Sequence, residues 1–407
     1  MRNGVSAGSM KKSFKGKRPR KVPAGGRTVG RAASRTGSRR PLAARPGAGR
    51  RQRRSARTHR QSASGRISRA FAAKAAGSAA ARWQREGAAD GAAWRAAHPA
   101  GTAEELWPYA QRAWTEKAHG SLASASRAER KRLCRDGSAY AAGIRQGSGM
   151  EVPGELLPLK GTASAVVYAG ADAQRLRAVL AELERLPLVE IVVVLGPDAL
   201  PMQAELLSHP RIVTVGSPDG YASPHAARAA GARLTGADTV LFADGAEPCP
   251  ARLLGLLLVE ADAGADAVLS DRTAQEGTFD RRGGASWLRE FLNVTLGKPG
   301  LRANAVGGVP FALSRRALDA IGPEALEMPA RAQASLLASG LRVAVCDDVP
   351  FSGERDSPSS AADYHTAAWL DCLSARGARL GFPDHKRNRQ AIGGGGDGSD
   401  DGRHPQL

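Results

Sequence analysis

From residue 163 onward, short runs of Val, Ile, Leu and Ala alternate with longer stretches whose apolar residues recur every three or four positions. SAVVYAG precedes a helical pattern over 172–186, EIVVVLG one near 199–207, RIVTVG one over 223–235 and TVLFAD one over 250–263; DAVLSD follows. A strand apolar at every position is buried on both faces, and strands separated by a helical crossover run parallel. The pattern therefore predicts an α/β fold, a mostly parallel sheet with helices on both faces. In DAQRLRAVLAELERL, Leu176, Val179, Leu180 and Leu183 form one buried stripe. Farther on, GGVPFALSRRALDAIG predicts strand then helix, and ARAQASLLASG followed by LRVAVCDD predicts helix then strand.

The remainder of the chain is organised by composition. The formal charge is +20, yet residues 1–85 carry 25 Lys or Arg and no Asp or Glu, which leaves 34 basic and 39 acidic residues in 86–407. Residues 1–70 have almost no large apolar side chains and are predicted to be disordered, because nothing offsets their ordering entropy. Such a stretch can contact a polyanion nonspecifically through counterion release. Phe14 is the one aromatic among these arginines, so there is no stacking platform for bases. Residues 71–150 are an Ala-rich helical segment and linker, in which Trp83, Trp94, Trp107 and Trp114 are expected to pack a helical appendage rather than stack on carbohydrate. The α/β domain spans 160–351, a C-terminal helical extension 352–390 and a Gly/Asp-rich flexible end 391–407.

Several chemistries lack their signatures. There is no GxxxxGK[ST], no GxSxG elbow between a strand and a helix, no HExxH and no GxGxxG after the first strand. Cys134, Cys249, Cys346 and Cys372 form no CxxC pair, so neither zinc nor a disulfide framework is indicated, and free thiols fit a reducing compartment. No apolar window reaches the roughly 18 residues of a membrane span. These features suggest a cytoplasmic protein, with the basic stretch allowing association with an anionic cell envelope.

In open parallel sheets, ligands sit beyond the carboxyl ends of the strands. Here those ends carry Asp172, Asp198, Asp219 and then Asp244 with Glu247. Carboxylates on one rim suit a hard divalent cation, Mg2+ or Mn2+, bridging to substrate phosphates. Asp172 and Asp198 also stand where a plain helix cap would. His365 is a fainter candidate for a late metal ligand.

The order of these pieces over 163–351 resembles the nucleotide-diphospho-sugar transferase (GT-A) fold, and more narrowly the family 2 glycosyltransferases. The segments that carry the resemblance are SAVVYAGADAQRLRAVLAEL, EIVVVLGPD, HAARAAGARLTGAD, VLFADGAEP, GGVPFALSRRALDAIG and ALEMPARAQASLLASGLRVAV. The resemblance implies that a nucleoside-diphosphate sugar binds and that its sugar passes to an acceptor hydroxyl with inversion. It assigns Asp244 to the first acidic position of the metal motif, Asp198 to the nucleotide base, Arg228 to the helix facing the nucleotide and Glu327 to the general base. Three positions depart from it. Ala246 replaces the second metal-motif acid, with Glu247 one place late; Leu195 and Gly196 stand where paired acids end the second strand; Met328 follows Glu327. These departures keep open a second expectation, a catalytically degenerate scaffold or binding protein with a polyanion-binding tail.

Overall fold

The computed structural model describes residues 77, 79–122, 124–217, 219–351 and 358–380. The expectations for 1–70, for the basic residues after 380 and for 391–407 lie outside these residues. All described residues belong to one compact unit.

Three helices come first: α1 over 79–97, α2 over Ala103–Ala118 and α3 over Arg127–Ser148. Thr102 and Ser126 each open a helix with a reciprocal capping box, to Glu105 and Glu129, and Gly149 closes α3 with φ 71°. The stretch 136–147 is the second half of α3. Trp94, Trp114, Tyr140, Ile144 and Leu156 form the core of this unit, with Trp83 edge-on to Trp114 at 5.1 Å. The tryptophans thus pack the helices together. Glycines let α1 and α3 touch backbone to backbone. A Cβ at Gly87 would stand 2.2 Å from the Tyr140 carbonyl oxygen, and one at Gly143 would stand 2.1 Å from that of Gln84.

The α/β part runs β1 (Ala163–Ala169), α4 (Ala173–Glu184), β2 (Glu190–Leu195), the single turn α5 (Gln203–Leu206), β3 (Ile212–Gly216), α6 (Pro224–Ala232) and β4 (Thr239–Asp244). It continues with α7 (Ala251–Asp262), β5 (Ala267–Asp271), the single turn α8 (Thr273–Glu276), α9 (Gly284–Thr295), β6 (Phe311–Ser314), α10 (Arg315–Ile321), α11 (Pro329–Ala338), β7 (Val343–Pro350) and α12 (Pro358–Arg376). The sheet order is β3-β2-β1-β4-β6-β5-β7. β1 pairs in parallel with β2 and β4, β2 with β3 and β5 with β7, whereas β6 is antiparallel to both neighbours.

Period-two alternation divides the strands between two layers. Ala165 and Val167 face the layer of α4 and α7, where Leu176, Val179, Leu180 and Leu183 pack as the stripe predicted. Val166, Val192 and Val240 face α6, α10 and α11. Phe242 of β4 stacks on its register partner Phe311 of β6, centroids 4.6 Å apart, which fixes the inserted antiparallel strand. The helical unit docks on the α7 side. Arg130 grips Glu260 with two hydrogen bonds of 2.9 and 2.7 Å, and Cys134 enters the core beside α7.

Candidate functional site

β1 lies centrally, with β2 and β3 to one side and β4 to the other. Successive crossovers therefore lie on opposite sides of β1, and the strand order reverses between the carboxyl ends of β1 and β4. This topological switch point is where an open α/β sheet binds ligands. Asp244, the last residue of β4, stands opposite Tyr168 near the end of β1. The run TVLFAD is buried throughout, and Asp244 itself is only 5% exposed.

A buried carboxylate needs partners. The Asp244 Oδ1 accepts the Ala246 N–H at 2.9 Å, and Oδ2 faces the Arg228 Nη2 at 4.0 Å. Arg228, on the second turn of α6, is also buried, and its Nη1 donates to the Gly307 carbonyl at 3.2 Å and lies 3.1 Å from the His225 Nδ1. Gly307 can accept this bond because its φ of 109° is closed to most side chains and a Cβ would stand 2.7 Å from that of Pro329. The His225 ring in turn meets Tyr364 of α12 edge-on at 6.3 Å. α12 packs on α9 and α11, and its Tyr364 reaches His225 beside Arg228.

The outer rim is set by Arg175. Asp172 caps α4 through the Arg175 N–H at 3.0 Å and holds its guanidinium at 3.4 Å. The same guanidinium donates to the Ala246 carbonyl at 3.2 Å and approaches Glu247 at 3.9 Å. Asp172, Glu247 and Asp244 thus gather on the β1–β4 rim, with Glu247 turned to Arg175 rather than to Asp244. Asp198 sits exposed in the 3-10 turn after β2, and Asp219 is exposed after β3. Glu327 ends a 3-10 turn and pairs with Arg233 at 3.1 Å. Arg233 lies five residues beyond Arg228, about 7.5 Å farther along α6 at ~1.5 Å per residue. The structure does not bring Glu327 to Asp244.

Among the described residues, no group of three or more His, Cys, Asp or Glu side chains is placed to hold a metal ion. The donor set fits a divalent cation only through Asp244, with phosphate oxygens supplying most of the shell, a mode usual for Mg2+. His365 is buried in α12, its Nδ1 2.7 Å from the Ala361 carbonyl, which makes it part of the helix packing. Cys249, two residues past Glu247, has its thiol pushed up to about 11 by burial, with Glu182 adding to it, so it is no nucleophile at neutral pH.

Sequence reasoning missed the support behind the site. Asn293 and Gln333, both fully buried, join through the Gln333 Nε2 donating to the Asn293 Oδ1 at 2.8 Å. Asn293 donates to the Arg302 and Asn304 carbonyls, and Gln333 accepts the Val306 N–H at 3.2 Å. Asn304 donates to Asp271 at the end of β5 and accepts the Arg272 N–H. Burial would raise the Asp271 pKa, but hydrogen bonds from Thr273 and Asn304 hold it below the usual carboxylate range. This amide network fixes the loop that presents Gly307 to Arg228. An amide inside an apolar helix, as in ARAQASLL, was the available signal.

No family model and no curated protein matches the chain. Among solved structures, it is similar to mannosyl-3-phosphoglycerate synthase from Rubrobacter xylanophilus, at 20% identity over 53% of this chain and 75% of that one, with a TM-score of 0.39. A mannosyltransferase from Pyrobaculum calidifontis in complex with GDP-Man and Mn2+ overlaps at 16% identity, 54% and 76% coverage and a TM-score of 0.34. The 4-diphosphocytidyl-2C-methyl-D-erythritol synthase from Anaerococcus prevotii overlaps at 14% identity, 52% and 96% coverage and a TM-score of 0.33. Likeness at this level says nothing about activity.

Proposed function

We propose that this chain binds a nucleoside-diphosphate sugar at the carboxyl ends of β1 and β4 and transfers the sugar, with inversion, to an acceptor hydroxyl. The observation that carries this reading is the buried Asp244–Arg228 pair at the topological switch point, with Asp172 and Glu247 on the rim above it. A buried pair of this kind is expensive to desolvate and is poorly accounted for as a stabilising device. It suits a site that must meet both a cation and a phosphate. Arg228 offers a fixed positive charge, and the amino end of α6, the positive end of its dipole, lies at the same edge. A divalent cation on Asp244 would neutralise charge developing on the leaving diphosphate. Asp198, exposed after β2, is the candidate for contacting the nucleotide base, and Glu327 is the candidate base for the acceptor.

Calorimetric titration of UDP and GDP into the full chain, with and without Mn2+, tests the reading. Binding strengthened by Mn2+ and weakened at least tenfold by Asp244→Asn is expected. The asparagine keeps the shape of the side chain, and an unchanged thermal midpoint checks that the buried arginine has not unfolded it. Absence of binding to both nucleotides would sink the proposal.

One observation favours the second reading, a binding protein without turnover. The Glu327 carboxylate is engaged by Arg233, and Met328 follows it. Bound sugar nucleotide that is neither hydrolysed nor transferred would select that reading. If Glu327 is the base, Glu327→Gln leaves donor binding unchanged and slows turnover by about 10²–10⁴-fold.

A further inference from the structure

Helices α9 and α12 are apolar on two sides. Their inner sides bury Leu292 and Leu296, and Ala361, Ala368 and Cys372. Their outer sides expose Trp287 at 39%, Phe291 at 56%, Leu370 at 62% and Leu373 at 38%. Trp287 and Phe291 are four apart on α9, and Leu370 and Leu373 are three apart on α12, so each pair shares a helix face. Trp369 joins the two pairs. It lies edge-on to Phe291 at 5.2 Å, donates its Nε1–H to the Thr295 Oγ1 at 3.3 Å and stands one helical turn from Leu373. The outcome is one continuous aromatic and leucine surface. Isolated exposed apolar side chains need no explanation, but a contiguous set marks an interaction surface.

The two helices run in the same direction. Arg289 of α9 lies by Ala361 and His365 of α12, and Thr295 lies by Trp369 farther on. α9 ends at Thr295 beside Trp369, whereas α12 runs on to Arg376, one turn past Leu373. Lys298 just after α9, and Arg376 and Arg379 at the end of α12, are exposed cations, Arg376 donating to the Ala338 carbonyl at 2.8 Å. The net positive charge of the chain comes from residues 1–85, with 25 cations and no anion. Tryptophan, phenylalanine and leucine flanked by Lys and Arg, with a polybasic stretch elsewhere on the same chain, match the demands of an anionic lipid interface. The apolar rings enter the headgroup–acyl boundary while the long cationic side chains stay with the headgroups. No described helix is long and apolar enough to cross a membrane, so the contact is peripheral.

We propose that the α9–α12 face seats this protein on an anionic membrane surface. The test uses the full chain and vesicles of phosphatidylglycerol and phosphatidylcholine with brominated acyl chains, beside a Phe291→Ser, Leu370→Ser double variant. Both positions are exposed, and circular dichroism checks that the variant is folded. At low salt both proteins sediment with vesicles, since the basic stretch alone suffices. At about 0.5 M salt, where screening falls to a few ångströms, the wild type stays bound and the variant partitions at least tenfold less. Tryptophan emission is quenched by the brominated chains in the wild type and not in the variant. Equal retention of the two proteins, or no quenching, would overturn the proposal. So would a vesicle-free dimer of the wild type that the variant cannot form, since a second copy would then cover this face.

Discussion

Asp172 and Asp244 are both aspartates at strand ends, yet their surroundings separate them. Asp172 is half exposed and does the work of a helix cap, whereas Asp244 is buried against an arginine. Sequence position left Asp172 open to both roles, ligand and cap, and offered Asp244 as a ligand. Burial decides which carboxylate can matter for binding, because only a desolvated charge interacts strongly. The cysteines follow the same logic. Burial pushes the Cys134 thiol up to about 12, with Glu260 next in effect. Native protein at pH 8 is therefore expected to react slowly with iodoacetamide at Cys134 and Cys249, and rapidly after denaturation. Mass spectrometry of labelled peptides checks this; fast native labelling of Cys134 would contradict its placement. Tyr140 donates its hydroxyl to Asp90, which Lys117 also approaches at 3.2 Å. Tyr140→Phe should lower stability by about 1–2 kcal/mol in urea unfolding. A neutral effect would mean that water replaces the bond.

Among the elements, the crossing of α1 and α3 depends on hydrogen atoms in place of methyl groups. Gly87 and Gly91 on one helix and Gly143 and Gly147 on the other all meet opposing backbone more closely than a Cβ allows. An isolated helix gains stability when glycine becomes alanine, by about 1 kcal/mol. Here Gly143→Ala should instead cost ~1–3 kcal/mol through overpacking, and a stabilised melt would refute the crossing. The spacing of four was visible in the sequence; that the two pairs face each other was not. The amide network behind the site makes a comparable prediction. Gln333→Leu leaves the Asn293 carbonyl and the Val306 N–H without partners and should cost about 2–4 kcal/mol. It should also weaken nucleotide binding, because the loop carrying Gly307 loosens. Normal stability in thermal unfolding would show that the network is dispensable. The strands and the helices covering them were read from period and apolar runs. α9 was legible by the same rule, since Leu288, Leu292 and Leu296 recur every four residues, but it was not read.

At the scale of the molecule, the amino edge of the sheet is tied by Asp238, just before β4. Its carboxylate accepts the Thr162 N–H and hydroxyl, both at 2.8 Å, which holds its pKa below the usual carboxylate value. A group depressed in the folded state contributes stability that is present above its unfolded pKa. That contribution is lost as pH falls from about 4. Asp238→Asn should therefore flatten the acid limb of the stability–pH curve, measured by urea midpoints between pH 5 and 2. An unchanged slope would place the acid lability elsewhere. The sequence by itself determined the class of fold, since runs apolar at every position, separated by amphipathic helices, can be buried only as strands of a covered parallel sheet. It also determined which residues cluster at the strand ends, because chain direction and crossover fix that edge. Only the tertiary structure decided the strand order with its antiparallel insertion, the pairing of Asp244 with Arg228 and of Glu327 with Arg233, and the apolar face shared by α9 and α12. Each of these depends on which distant segments become neighbours, and periodicity, which reports only how one segment meets its surroundings, carries no record of that.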